Sequence, residues 1–379
     1  MTTVGGPSVL LDATPIPASR GGVGRYVDGI VPALVEAGVR LTVVCQARDA
    51  DGFRESGARV VVAPARAAST RGRLVWEQMG LPRLARALRV DVIHSVHYTF
   101  PIFTRRTHAV TVHDLTFFTH PMLHTRAKRF FFRSWIRATR FAKATVITPS
   151  RATADEYRRV TGAPESRVVV ALLGFDSDLF SPPTPSAVAE LSREILPSGG
   201  SWIAFLGTLE PRKNVASLID GYTSATSELM PEERPSLLLA GGEGWDSAVQ
   251  PAIERARSSG ADVRKLGYLP LHQLRSFLGG AQIVAYPSLG EGFGLPVLEA
   301  MASGACVLTT RELSLPEVGG DAVAYAGTSA PEIAAALSRL LASPQEREEL
   351  GRRAIDRAAS FTWLAGAERH VDAYERAAA

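Results

Sequence analysis

Short runs of β-branched and aliphatic residues alternate with longer amphipathic stretches along this chain, a rhythm of parallel βαβ units. The apolar runs predict strands over residues 9–12, 41–46, 60–63, 91–95, 109–113, 145–149 and 168–172. Helical spacing predicts helices over 25–37 and 152–161. The stretch Pro182-Pro183-Thr-Pro185 then interrupts both periods. The rhythm restarts with strands over 202–206, 236–240, 264–266, 283–287 and 305–309, and helices over 214–226 and 297–303. A final helix is expected over 363–378, free to pack on either half. Two βα runs of similar size predict two doubly wound, Rossmann-like domains facing across a cleft. The expected divisions are 1–180, 181–360 and a C-terminal helix over 361–379 that is able to cross back.

The length of 379 residues suits two such domains. A hydrophobic share of 46% with 21% charged residues is globular rather than disordered. No apolar run approaches the ~20 residues of a bilayer span, and the first residues lack the pattern of a signal peptide. Cys45 and Cys306 lie in apolar runs and read as buried thiols. A cytoplasmic protein is expected. Charge is divided unevenly. Residues 1–180 hold 25 Lys+Arg against 14 Asp+Glu, whereas residues 181–379 hold 17 against 24. The basic half suits an anionic partner surface, unless arginine is simply common here.

In doubly wound sheets, ligands bind beyond the carboxyl ends of strands. One such place carries the densest chemistry, Gly290-Glu291-Gly292-Phe293-Gly294-Leu295-Pro296 leading into a helix with Glu299. Glycines and the N–H groups of a helix start make an anion site. Glu291 and Glu299 beside it suit hydroxyl groups, which carboxylates bind as acceptors. A diphosphate flanked by two polyols is a nucleoside diphosphate sugar. The plain alternative is a glycine turn with a helix-entry glutamate.

Gly207-Thr-Leu-Glu-Pro-Arg212-Lys213-Asn214 places two cations at a strand-to-helix turn. They suit the charge that develops on a departing diphosphate. Gly21-Gly22-Val-Gly24 reads as a glycine loop after the first strand, but its spacing and the Cys45-Gln46 end of the next strand disfavour NAD. His113-Asp114 ends a strand, and reads as a ligand contact or as a satisfied histidine beside a capping aspartate. Tyr268 and Leu269 follow another strand end. Asp176-Ser-Asp178 has metal-binding spacing, as have His120 and His124, but no further ligand is evident near either pair. Arg126 to Lys143 holds seven cations, five aromatic residues and no acid. It reads as an interfacial helix or as a core helix with snorkelling arginines.

The Glu291–Glu299 segment resembles the E-x7-E motif of glycosyltransferase family 4, retaining enzymes of the GT-B fold. GTLEPRKN is similar to that family's G-x-x-x-x-R-K-N block, and VHDL to its V-H-D-L segment. The resemblance runs through nearly the whole chain in family order. It implies retention of configuration and a catalytic group of His113, Arg212, Lys213 and Glu291. Donor contacts would come from Gly21, Gly22, Arg212, Lys213, Gly292, Phe293, Gly294, Leu295, Tyr268, Leu269 and Glu299. Asp176 would sit in a structural G-x-D element, and no metal or other cofactor would be required. The segments lean towards GDP-mannose as donor. A glycan or lipid-linked acceptor would bind the first domain, with an anionic membrane surface met through 126–143 and no nucleic acid. The competing expectations are a sugar-nucleotide epimerase of GT-B fold and a non-enzymatic protein that binds anionic surfaces.

Overall fold

A computed structural model describes residues 6–18 and 20–379. The chain divides into two compact units, Met1–Gly174 with Thr362–Ala379, and Phe175–Phe361. The boundary expected at 180/181 therefore falls at 174/175. The reason is local. Pro182 and Pro183 already run with the second unit, and Pro185 opens its first helix, Pro185–Ile195, behind a Thr184 cap. A proline tolerated at the first helical turn starts a helix there instead of marking a linker.

The N-terminal unit holds β1 (Ser8–Asp12), β2 (Arg40–Cys45), β3 (Arg59–Val62), β4 (Val92–Ser95), β5 (Thr107–Thr111), β6 (Thr145–Thr148) and β7 (Val168–Val170). They pair in parallel in the order β3-β2-β1-β4-β5-β6-β7. The second unit holds β8 (Trp202–Leu206), β9 (Ser236–Ala240), β10 (Val263–Gly267), β11 (Ile283–Tyr286), β12 (Val307–Thr310) and β13 (Ala324–Ala326). Their parallel order is β10-β9-β8-β11-β12-β13. The central strands are wholly buried, which is why they read as continuous apolar runs and not as alternation. Each order reverses beside its first strand, β1/β4 and β8/β11. Those are the switch points where a doubly wound sheet opens a crevice.

The final helix, Trp363–Ala378, joins the N-terminal unit. Its seat is built by glycines. A Cβ on Gly29 would lie 2.1 Å from the Trp363 ring, and one on Gly174 2.2 Å from Trp363 N. A buried polar chain then ties the helix to the sheet. His370 Nδ1 donates to Gly366 O (2.7 Å), so Nε2 accepts from Tyr26 Oη (2.7 Å). Tyr26 Oη is 3.0 Å from Thr111 Oγ1, Thr111 Oγ1 2.8 Å from His94 Nε2, and His94 Nδ1 2.9 Å from Tyr374 Oη. Every group in this chain has a partner, as buried polar atoms require. Burial lowers both imidazoles, His370 to about 4, and keeps them neutral.

Candidate functional site

β8 delivers Gly207, whose N–H donates to Ala240 O at the end of β9. Gly241 N in turn donates to Gly267 O at the end of β10. A Cβ on Gly241, at φ +124°, would lie 2.3 Å from Gly207 O. The three strand ends thus meet backbone to backbone, which only glycine allows. Beyond Gly207 the chain forms a single 3-10 turn, Pro211–Lys213, and closes it with Asn214 in the left-handed region at φ 57°. Asn214 Nδ2 donates to Pro287 O (3.2 Å) and Thr328 O (2.8 Å). That amide latches the β8 turn to the segment after β11.

The latch brings the predicted cations against the predicted carboxylate. Arg212 Nη1 donates to Gly290 O (2.8 Å) and pairs with Glu291. Lys213 Nζ donates to Glu291 Oε1 (2.7 Å), and Leu289 N donates to Arg212 O (2.9 Å). Lys213 and Glu291 are both buried. Burial on its own would raise the Glu291 carboxyl. The charges of Arg212 and Lys213, and their hydrogen bonds, outweigh it and hold the group down to about 2. Glu291 is therefore ionised and sits nearer the cations than the sequence suggested. Glu210 Oε2 also stands 3.8 Å from Arg212 Nη2, so two carboxylates face the two cations. Lys213 carries three N–H groups and gives one to Glu291, so an incoming anion can be met at that ammonium.

Ser314 Oγ lies 2.7 Å from Glu291 O and 2.8 Å from Phe293 O, so one hydroxyl proton serves both carbonyls of the loop. Gly294 takes φ 106° and caps the Leu295–Ala302 helix. The helix starts two residues earlier than expected, with Pro296 inside its first turn and not at its head. Phe293 and Leu295 are buried, and Phe293 meets Phe361 edge-on at 6.0 Å. Their side chains serve the core, which leaves only backbone for a ligand. Glu299 is buried inside the helix. Tyr268 is 75% exposed beside the Gly241–Gly244 turn, where a Cβ on Gly242 would lie 2.8 Å from its hydroxyl. Leu269 is half-buried next to it.

The predicted residues of the N-terminal unit lie at the carboxyl ends of β1 and β5. Gly21 and Gly22 do not form a loop. Gly21 is the N-cap and Gly22 the first residue of the Gly22–Glu36 helix, with open space where each Cβ would stand. His113 lies two residues past β5 and donates from Nε2 to Val96 O (2.7 Å), which leaves Nδ1 as an acceptor. Burial lowers its pKa, against the opposing effects of the Val96 bond and Asp114. Tyr26 meets the His113 ring edge-on at 5.1 Å. Asp114 Oδ1 accepts from Thr116 N (3.0 Å) and Thr116 Oγ1 (2.8 Å), a local turn, while the N-cap of the Thr116–Thr119 helix is Leu115 and not Asp114.

Asp176 Oδ1 accepts from Asp178 N (3.0 Å) and Leu179 N (3.2 Å), a local turn. His120 and His124 flank a 3-10 turn and not one helix face, with threonine partners at 3.0 and 2.9 Å. Among the described residues no group of three metal-ligating side chains converges. The basic stretch is a helix, Arg126–Phe141, and its two faces differ. Phe132 stacks on Phe117 (4.5 Å), and Trp135 meets Phe100 (5.4 Å). Arg133 and Arg137 lie over Phe118. Phe130 and Phe141, by contrast, are 78% and 83% exposed. No helix among the described residues is long and apolar enough to cross a membrane.

Sequence reasoning missed the parts that hold these groups in place. Ser314 and Val96 O act through backbone geometry, and a lone serine or a carbonyl leaves no trace in a motif; Asn214 stood in the predicted block, but its latching role did not.

Two parallel sheets with paired switch points, and an Arg-Lys-Glu cluster at the carboxyl edge of the second, define a twin Rossmann-like protein of the GT-B class. Residues 20–179 match the model of Glycosyltransferase Family 4, and residues 190–357 that of Glycosyl transferases group 1. O-antigen chain mannosyltransferase B of Escherichia coli is 30% identical over 291 residues, 75% of this chain and 74% of that one. D-inositol 3-phosphate glycosyltransferase of Corynebacterium aurimucosum is 32% identical over 243 residues, 62% of this chain and 56% of that one. The solved structure of Anabaena HepE in complex with UDP and glucose has a TM-score of 0.72 at 19% identity, covering 97% and 98% of the two chains. The chain belongs to glycosyltransferase family 4, and it is a glycosyltransferase.

Proposed function

We propose that this glycosyltransferase moves a hexose, mannose in first preference, from a nucleoside diphosphate sugar to a glycan or lipid-linked acceptor, retaining anomeric configuration. The observation that carries the reading is the buried Arg212–Lys213–Glu291 cluster at the β8/β11 switch point. In this reading Arg212 and Lys213 receive the diphosphate and stabilise its charge as it leaves. Glu291, held ionised between them, accepts hydrogen bonds from sugar hydroxyls, and the Lys213 ammonium turns its further N–H groups to the phosphate. Glu299 receives the ribose, and the backbone of 292–295 lies along the phosphates. Tyr268 and Leu269 contribute at the base. His113 offers the lone pair of Nδ1 to a hydroxyl of the donor sugar. The two lysine and arginine charges supply what a metal would, so the reaction needs no cofactor.

GDP-mannose is favoured by the resemblance of VHDLTFF and SLGEGFGLPVLEAM, and by the mannosyltransferase relative. Thermal-shift titration with GDP, UDP, ADP and NAD tests the donor. Stabilisation of about 2.7 kcal/mol is expected at ~100 times the dissociation constant. A response to NAD alone overturns the reading. An epimerase would convert labelled donor without an acceptor, and product analysis separates the two. The exposed Phe130 and Phe141 on a basic helix favour contact with an anionic bilayer on the cytoplasmic side. Sedimentation with anionic vesicles that weakens with salt supports this contact, and no binding at low salt rules it out.

A further inference from the structure

The N-terminal unit buries a second charged cluster that the proposed reaction does not use. Residues 76–80 form a π-helical turn between the helices Thr70–Val75 and Leu81–Ala87. Such turns add a residue and redirect the side chains on them. Here the turn is set by Gly80, where a Cβ would lie 2.0 Å from the Trp76 ring. It delivers Glu77, which is 1% exposed. Glu77 Oε2 accepts from Thr99 Oγ1 (2.6 Å) and Arg73 Nη1 (2.9 Å), and Oε1 accepts from Gln78 Nε2 (2.9 Å). Gln78 reaches the same connection twice more, donating to Phe100 O (2.9 Å) and accepting from Ile102 N (2.9 Å).

What Glu77 and Gln78 grip is the connection after β4, and this connection is strained. Tyr98 has φ 43°, in the left-handed region that a bulky residue rarely enters. Thr99 N donates back to His97 O across that turn. Such a conformation persists only where its surroundings hold it. The same turn supplies one contact each to His113 and Asp114 after β5. Val96 O receives His113 Nε2–H, and Tyr98 Oη receives Asp114 N–H at 3.1 Å. A chain of direct contacts therefore runs from Glu77 through Thr99 and the 96–99 turn to the tautomer of His113.

We infer that Glu77 is a positioning residue: by clamping Thr99 it holds the strained 96–99 turn and so keeps the proton of His113 on Nε2 and its lone pair on Nδ1. The inference deepens the reading of His113 as a donor-sugar contact and rests on it for its catalytic consequence.

The clamp has a charge state. As an anion, Glu77 accepts from both Thr99 and Arg73. As an acid, it carries a proton that competes with those donors and leaves Arg73 buried beside a neutral group. The charged and titratable neighbours are Arg73 on its own helical segment, Asp12 at the end of β1, and His97 in the turn. Burial first, then the Asp12 charge, push Glu77 up to about 7, against the opposing pull of Thr99, Arg73 and Gln78. Asp12 is itself buried and raised, with its Oδ1 committed to Thr14 N and Oγ1. Burial pushes His97 down to about 3, so it stays neutral throughout. The clamp is thus closed above neutral pH and loosens below it.

The test uses the full chain and two variants. Glu77→Gln keeps shape but is neutral at every pH. Thr99→Val removes the clamped hydroxyl. Imidazole 15N correlation spectra between pH 5.5 and 8.5, with His113 assigned from His113→Gln, read the tautomer without any substrate. The wild type is expected to show a single Nε2–H tautomer at high pH and a mixture below neutrality. Glu77→Gln is expected to show the mixture throughout. GDP release from GDP-mannose is expected to fall with pH through one proton in the wild type. In Glu77→Gln it is expected to be flat and about tenfold below the wild-type plateau, short of the ~100-fold that an ångström of misplacement costs. If Glu77→Gln does not fold, Thr99→Val is expected to give the same flat profile and mixed tautomer. Wild-type spectra and a wild-type profile in the folded variant overturn the inference. A change of tautomer in Glu77→Gln, with full turnover in His113→Gln, upholds the clamp and overturns only the assignment of His113 to the donor sugar.

Discussion

Lys213 and Glu291 are the residues on which transfer should depend most. Replacing Lys213 by Ala removes one of two cations from the proposed leaving group. Turnover should drop roughly 100- to 1000-fold, with the fold retained but the unfolding midpoint lowered, because buried Glu291 loses one of its partners. Steady-state kinetics beside a melting curve checks this. Glu291 also makes a prediction about pH. Its folded pKa is depressed from the ordinary 4.5 to about 2. Its contribution to stability is therefore complete above 4.5 and is lost as pH falls towards 2. Melts of wild type and Glu291→Gln should converge on acidification over that window. A gap that stays constant would assign the ionisation elsewhere. Most of this cluster was legible in the sequence, since Arg212, Lys213 and Glu291 stood in recognisable spacings. Glu77 was not. It lies 22 residues from Thr99 in an unremarkable amphipathic stretch, and its burial follows from a π-turn that no local pattern announces.

The elements themselves were mostly visible, because both sheets are parallel and buried and so leave continuous apolar runs. Among the strands β13 was the exception, and helices such as Ala330–Ala342 and Pro344–Ala358 were given no bounds by the sequence. Ala-Tyr-Ala is too short and too poor in β-branched residues to signal a strand, and it exists because β12 offers it an edge. The turn at 20–24 was misread for a related reason. Glycine at an N-cap and at the head of a helix looks like a loop until the helix behind it is seen. The last helix packs tightly at Gly29, deep in the Gly22–Glu36 helix against Trp363. Gly29→Ala gains helix propensity, worth about 1 kcal/mol. It must also displace an indole, and overpacking typically costs 1–3 kcal/mol. The net expectation is a lower midpoint with easier proteolysis of the C-terminal helix, read by limited digestion. An unchanged digestion pattern would mean that the indole yields freely.

For the molecule as a whole, the sequence left open which half takes the last helix. The answer depends on contacts between positions as distant as His94 and Tyr374, which no local reading reaches. A chain ending at Phe361 should therefore lose stability in the N-terminal unit, because the apolar seat of Trp363 is opened to water and Tyr26 and His94 lose their partners on the helix. The second unit should keep its nucleotide response. Calorimetry with and without GDP distinguishes the two. Loss of both transitions together would show that the units do not unfold separately.

The same helix gives the chain an unusual order of assembly. Residues 175–361 are synthesised between the two parts of the N-terminal unit, and they possess a complete sheet of their own before residue 362 emerges. Domains fold as they leave the ribosome, in order of synthesis. Here that order is inverted, since the unit begun first is the one finished last. Until His370 arrives, Tyr26 has only Thr111 for a partner, and the seat of the last helix stays open to water.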